Sequence, residues 1–444
     1  MDPSNSLKVM DLFAGCGGLS LGLENAGFYP VFVNELNDDA RATYIRNRLE
    51  INPDLARPEF HAADVKSMLS SPSYLTDLEK RLEEKFGIKH GELDLIAGGP
   101  PCQGFSGIGH RRSYSVDKKE LPSNHLFQDM AEIIRRLEPR AFLFENVRGL
   151  LNSKWTSDGQ KGEIWQAVHA TFKGLGKYRV AFRLVYAKDY GVPQNRPRVL
   201  MIGIRKDVQS PLVNDSASDD ALERGFLPKP TGGAPSLEEL LGDLVAKDPS
   251  GSTAAAPMTK YASAATTPVQ KRLRTPRGGK EPARKGAPLT EMEYTNHSPR
   301  VLAKFKAMHA GNGRIPEEFK TKKFAQKLLP STWGPSGPSI TATSLPDDYV
   351  HFAEPRILTV REWARLQMFP DWYQFEGKKT TGGLRRAGNP REGVFDREVP
   401  KYTQIGNAVP VGLAEAVGRH LAEILRRPAG GARGELDPKA WPST

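Results

Sequence analysis

A chain of 444 residues, 38% hydrophobic and 8% aromatic, can build a sizeable core and more than one domain. No run approaches the roughly 20 apolar residues that cross a bilayer, the N-terminus carries no apolar signal segment, and two cysteines exclude a disulfide framework or a cysteine-rich metal cluster. A cytoplasmic location with no membrane partner and no metal is expected, and a formal charge of +11 suits a polyanionic partner, although an ordinary basic protein can carry as much.

The first half alternates strand-like and helix-like segments. Lys8 to Ala14 reads as a strand, and Gly15-Cys16-Gly17-Gly18 leads into an apolar helix from Leu19 to Ala26. Val31 to Glu35 is a second strand ending in an acid, and a third could end at Asp64. Leu93 to Ala97 and Ala141 to Val147 are strands, with helices over Phe127 to Leu137 and Trp165 to Phe172. Arg179 to Ala187 and Val199 to Arg205 are late strands. This order predicts an α/β fold with a largely parallel sheet and helices on both faces.

The character changes after Lys206, where Pro, Gly, Ser and Thr are frequent up to about residue 355. Within that part, Lys271 to Lys285 holds seven Lys or Arg against one acid and reads as a mobile basic loop. A solvated linker and an arm contacting a polyanion are both open for it. Order returns at Arg356. Thr359 and Glu362 form a predicted capping box before a helical run, and a last amphipathic helix spans about 411–426.

Three constellations carry chemistry. In the first, strand, glycine turn and helix let a backbone approach a nucleotide-like ligand, although the spacing is Gly-x-Gly-Gly and not the dinucleotide pattern. Glu35, about 20 residues further on, can accept both hydroxyls of a ribose. Asp64 can reach an adenine amino group. Alone, a glycine turn is only a tight turn; with two acids it favours an adenosine-containing cofactor. The second is Gly98-Gly99-Pro100-Pro101-Cys102 after an apolar strand. Two prolines stiffen the loop, and a thiol there is placed to be a nucleophile, although free cysteines are often plain core residues. The third is a pair of strand-end groups. Glu145 can become a proton donor if burial raises its pKa, or it is an edge glutamate. Arg196 and Arg198, two apart on an extended segment, point the same way and could bind an anion or a carbonyl oxygen.

Taken in order, these segments resemble the DNA (cytosine-5) methyltransferase family of bacterial and phage restriction-modification systems. The resemblance runs through Asp11 to Gly18, Pro100 to Ser106, Glu145-Asn146-Val147, Gln194 to Arg198, Arg356 to Asp371 and Gly406 to Pro410. It implies a Rossmann-like S-adenosylmethionine-dependent sheet at 1–205 plus 400–428. A smaller target-recognition domain with its following helix would span 206–399, including the mobile loop at about 250–290, and a tail would span 429–444. It implies Cys102 as nucleophile towards C6 of a flipped cytosine, Glu145 as the group at N3, and Arg196 and Arg198 at the base carbonyl. Phe13, Gly15, Gly18, Glu35, Asp64, Pro100, Asn407 and Val409 look like cofactor contacts. The implied partners are double-stranded DNA and a cognate restriction endonuclease, with the chain itself a monomer. Gly104 to Leu121 reads as a loop that closes over the extruded base. A tRNA methyltransferase on the same fold is the competing reading; it tends to carry a further cysteine segment, which is missing here. The residues before Leu126-Phe127 and the insertion between Phe375 and Pro400 depart from the family pattern and carry no assignment.

Overall fold

The computed structural model describes residues 5–101, 125–156, 158–245, 259–320, 326–330, 348–380 and 398–426. Among them, one seven-stranded sheet runs in the order β3-β2-β1-β4-β5-β7-β6. The strands are β1 (Leu7–Leu12), β2 (Phe28–Asn34), β3 (His61–Ala62), β4 (Leu95–Gly98), β5 (Ala141–Val147), β6 (Tyr178–Tyr186) and β7 (Pro197–Arg205). The pairs β1–β2, β2–β3, β1–β4 and β4–β5 are parallel, whereas β7 runs antiparallel to both β5 and β6. The sheet is largely parallel, as the sequence predicts, and β7 is its antiparallel strand. Only residues 187–196 separate β6 from β7, fewer than the dozen or more that a parallel crossover needs, so the chain doubles back.

Period-two alternation decides how the sheet is covered. Val9, Leu95, Ala141, Leu143 and Ile202 face one apolar layer, and Met10, Ile96, Phe142, Phe144 and Met201 face the other. On the second face lie α4 (Tyr74–Phe86), α5 (Leu126–Leu137) and α6 (Glu163–Lys173). Helix α5 shows how: Phe127, Met130, Ile133, Ile134 and Leu137 form its buried stripe, while Glu132 pairs with Arg135 and Arg136 outside. On the first face α1 (Gly18–Asn25) packs against α12 (Val411–Leu425), which returns from the far end of the chain. Helices α2 (Asp38–Arg46) and α3 (Ser67–Ser70) follow β2 and β3.

The rest of the chain adds α7 (Leu237–Leu241), α8 (Pro268–Arg274), α9 (Pro299–Ala310), β8 (Lys327–Leu328), β9 (Tyr349–Val350), α10 (Val360–Leu366) and α11 (Lys401–Asn407). Helix α10 starts at the expected capping box, with Thr359 accepting from the Glu362 amide, an arrangement worth about 1 kcal/mol. Leu237, Leu244, Leu273, Met292, Trp363 and Tyr373 join the apolar layer that holds α1 and α12. A separate small cluster of Phe305, Met308, Val350 and Ile357 holds α9 against β9.

The basic stretch 271–285 is not the free loop that its composition predicts. Its first residues belong to α8, and Leu273 and Arg274 are buried. The Arg274 guanidinium donates to Asp243 and to the carbonyls of Ser263 and Ala283, and lies 3.7 Å from the centroid of the Tyr261 ring. Arg277 stacks on Trp372 and pairs with Glu24. These cations are consumed by partners inside the fold, which a charge count cannot reveal.

Candidate functional site

Strand order reverses beside β1, with β2 on one side and β4 on the other. The crevice outside the carboxyl ends of such strands is where open α/β sheets bind ligands. Several of the described residues singled out from the sequence lie at the carboxyl ends of these strands. After β1, Phe13 and Gly15 both take φ +56° and Gly17 takes φ +85°, so the chain turns sharply into α1. Gly17 cannot carry a side chain: a Cβ would lie 2.8 Å from Arg48 and Tyr44, in a left-handed backbone conformation. At Gly18 a Cβ would come within 2.5 Å of the Val409 carbonyl oxygen. The first and last segments of the resemblance thus touch, although 391 positions separate Gly18 from Val409 (409 − 18).

Glu35 closes the turn from the next strand. One carboxylate oxygen accepts the Gly15 amide at 2.8 Å and the other accepts the Asn37 amide at 2.8 Å. Burial pushes its pKa up, against these hydrogen bonds and nearby Arg41. Each oxygen keeps a further lone pair for a ligand hydroxyl. Asn34 ties the strand ends together, accepting from the Phe13 amide and donating to the carbonyls of Ala62 and Ala63. Asp64 follows on the exposed rim, its carboxylate capping the Lys66 amide at 2.9 Å. Asn407 is exposed at the end of α11 and Val409 is buried beside Gly18.

Leu36 was not singled out from the sequence. It is 70% exposed and stands next to Glu35, offering apolar surface beside a carboxylate, as the planar base of a nucleoside requires. The available signal was an apolar residue directly after a strand-end acid. The glycine turn, Glu35 and Leu36 together fit an adenosine-containing group.

At β5 the antiparallel neighbour matters. Val147 pairs with Arg198 across the ladder, which sets Arg198 diagonally opposite Glu145 on the same face. Arg198 Nε lies 2.5 Å from Glu145 Oε1, and both side chains are almost fully buried. Burial pushes the Glu145 carboxyl above its ordinary range, opposed by Arg198 and Arg196. Asn146 donates to the Pro100 carbonyl at 3.1 Å, fixing the backbone that leads to Pro101 and the next residue. Cys102 itself and the segment Gly104 to Leu121 lie outside the described residues, as do 250–258, most of the insertion between Phe375 and Pro400, and the tail 429–444.

Arg196 makes contacts that the sequence did not indicate. Its guanidinium is buried, acts on both Glu145 and Arg198 through its charge, and also donates to the carbonyls of Gly406 at 2.5 Å and Ala408 at 3.0 Å. The strand starts only at Pro197, so strict alternation does not extend to Arg196. Gln194 donates to the Leu366 carbonyl and to Gln367, and Gln367 donates to the Ile405 carbonyl. This segment therefore braces the 405–409 turn.

Cys16, the other cysteine, is buried, with its thiol pushed up to about 12 and its Sγ 3.4 Å from the Gln404 carbonyl oxygen. A thiol so hard to ionise is no nucleophile near neutral pH. Asp11 is also fully buried, and burial pushes it up to about 7 against the pull of Arg48. A raised carboxyl pKa means that the fold tolerates the neutral form. This contribution is complete below about pH 4 and is lost as pH rises towards 7. Asp11→Asn keeps the neutral shape. At pH 8 it should gain about 1–4 kcal/mol over the parent in a denaturant titration, and the gain should vanish near pH 4. A gain equal at both pH values would show that Asp11 is ionised throughout.

The topology and the glycine turn define a Rossmann-like sheet. The family described as C-5 cytosine-specific DNA methylase matches residues 7–423. The Type II methyltransferase M.DdeI of Desulfomicrobium norvegicum is 30% identical over 440 residues, covering 94% of this chain and 88% of that one. The Type II methyltransferase M.Eco47II of Escherichia coli is 29% identical over 440 residues, with 95% and 80% covered. A solved prophage-encoded E. coli structure, described as a DNA modification methyltransferase, shares the fold with a TM-score of 0.62 at 23% identity, covering 95% and 99% of the two chains. The chain belongs to the C-5 cytosine-specific DNA methylase family. Among the described residues no helix is long and apolar enough to cross a membrane.

Proposed function

We propose that this chain transfers a methyl group from S-adenosylmethionine to C5 of a flipped cytosine within a defined double-stranded DNA sequence, as the modification half of a restriction-modification system. The observation that carries the reading is the buried Glu145–Arg198 pair, set beside the Pro100 carbonyl two residues before Cys102. Cytosine C5 is a weak nucleophile. In this reading the Cys102 thiolate adds to C6 and Glu145 delivers a proton to N3, so that electron density moves to C5. The sulfonium of the bound cofactor supplies the electrophilic methyl group. Loss of the C5 proton, expulsion of the Cys102 thiolate and return of the N3 proton to Glu145 then restore the ring. Arg198 holds the Glu145 carboxyl in place and is available to the base carbonyl, while Arg196 braces the turn that carries Asn407 and Val409. Glu35 takes the ribose hydroxyls, Leu36 covers the adenine face and Asp64 meets its amino group.

Target recognition is assigned to 206–399, centred on the small core of α9 and β9, where base readout is set by side chains outside the catalytic segments. The working form is a cytoplasmic monomer, and a nuclease cutting the same sequence is its partner. Bisulfite sequencing of DNA from a host expressing the chain tests the reading. Cytosines in one short sequence should be protected, and Cys102→Ser should leave none protected. Protection by the serine variant at the parental level would sink the assignment of the nucleophile; no protected cytosine in the parent would sink the activity itself.

A further inference from the structure

Behind the glycine turn lies a cation that no part of the catalytic scheme uses. Arg48 is fully buried just after α2. Its guanidinium donates to Glu24 at 2.7 Å, to the Tyr44 carbonyl at 2.9 Å, to the Tyr373 hydroxyl at 3.1 Å and to the Gly17 carbonyl at 3.2 Å. Its plane covers the Tyr44 ring at 3.7 Å. Tyr373, from the segment after α10, donates its own hydroxyl to the Cys16 carbonyl at 2.5 Å. Two successive carbonyls of the turn are thus held from behind by side chains remote in sequence. Arg277 pairs with the other Glu24 oxygen and stacks on Trp372, fixing the support from a third side.

We infer that Arg48 and Tyr373 are positioning residues that pre-set the glycine turn for the cofactor, so that cofactor affinity depends on a segment from the far end of the region assigned to target recognition. A turn with a glycine at φ +85° has little intrinsic preference for one conformation. Fixing two adjacent carbonyls removes peptide-plane flips before the ligand arrives, and ordering already present is not charged to binding. This rests on the reading of the turn as the S-adenosylmethionine site.

Tyr373→Phe deletes one hydroxyl and keeps the ring. Calorimetric titration of the full chain with S-adenosylmethionine should show a Kd raised about tenfold, which corresponds to about 1.4 kcal/mol. KM for the cofactor should rise with it, and kcat at saturating cofactor should fall far less. Arg48→Lys, which keeps the charge beside Glu24 but not the fork to Gly17 and Tyr373, should raise the Kd further. Tyr178→Phe is the control: that hydroxyl bonds the Pro139 carbonyl at 2.8 Å at the start of the edge strand β6, four strands from β1, so its loss should lower the denaturation midpoint and leave the Kd alone. A Tyr373→Phe protein with the parental Kd overturns the clamp even if its stability drops. A parent chain that binds no S-adenosylmethionine overturns instead the cofactor reading on which the clamp rests.

Discussion

Glu145→Gln should lower kcat by about 10²–10⁴-fold, the usual contribution of a positioned proton donor, with the cofactor Kd unchanged. The side chain keeps its shape and can still meet Arg198, but it has no proton to deliver. Burial holds the Glu145 carboxyl above its ordinary range. In the proposed reaction the protonated form is the useful one, so the limb of the rate profile that it controls is present below its pKa and lost as pH rises through it. In the glutamine variant that falling limb should disappear. Single-turnover rates across pH 5.5–9 at saturating cofactor would show this. A variant within threefold of the parent, still carrying the falling limb, would move the proton donor elsewhere.

The parts of this site that were legible in the sequence are those fixed by local pattern. The apolar run 141–144 gives the strand and places Glu145 directly after it, and the glycine turn announces itself in four residues. Glu35 is found because strand length and helix length set its distance from the turn. What was not legible depends on pairing across the sheet. The Glu145–Arg198 pair needs β7 to run antiparallel, and nothing within either segment states that direction. Arg196 looks equivalent to Arg198 in sequence, yet it sits one residue before the strand and turns to the 406–408 carbonyls. Arg48 and Tyr373 are ordinary residues in their own segments; their partners lie 31 and 357 positions away. Composition was least informative for the basic stretch, because a count of charges does not record which of them are already paired.

That stretch gives the largest expected loss of stability. Asp243 is buried with Arg274 and Arg365, accepting from Arg365 at 2.6 Å and 3.1 Å and from Arg274 at 3.3 Å. Arg365 also meets Asp371 at 2.6 Å, and Tyr261 donates to the same Asp371 oxygen at 2.7 Å. Asp243→Ala removes the carboxylate shared by two guanidiniums that have no route to water. Breaking one partner out of a buried ionic group typically costs about 3–5 kcal/mol, because the remaining charge stays desolvated. Here Asp371 and the Ala283 carbonyl retain part of the compensation, so about 3 kcal/mol is the expected loss. A guanidinium titration followed by tryptophan fluorescence would read it. Protease cleavage within 271–285 should accelerate in the variant, since α8 and the residues after it lose their anchor. If the stretch were the solvated loop that its composition suggests, the substitution would fall within about 0.5 kcal/mol of the parent, and cleavage there would already be fast in the parent. The two outcomes separate a segment whose arginines hold the fold from one whose arginines are free to meet DNA phosphates.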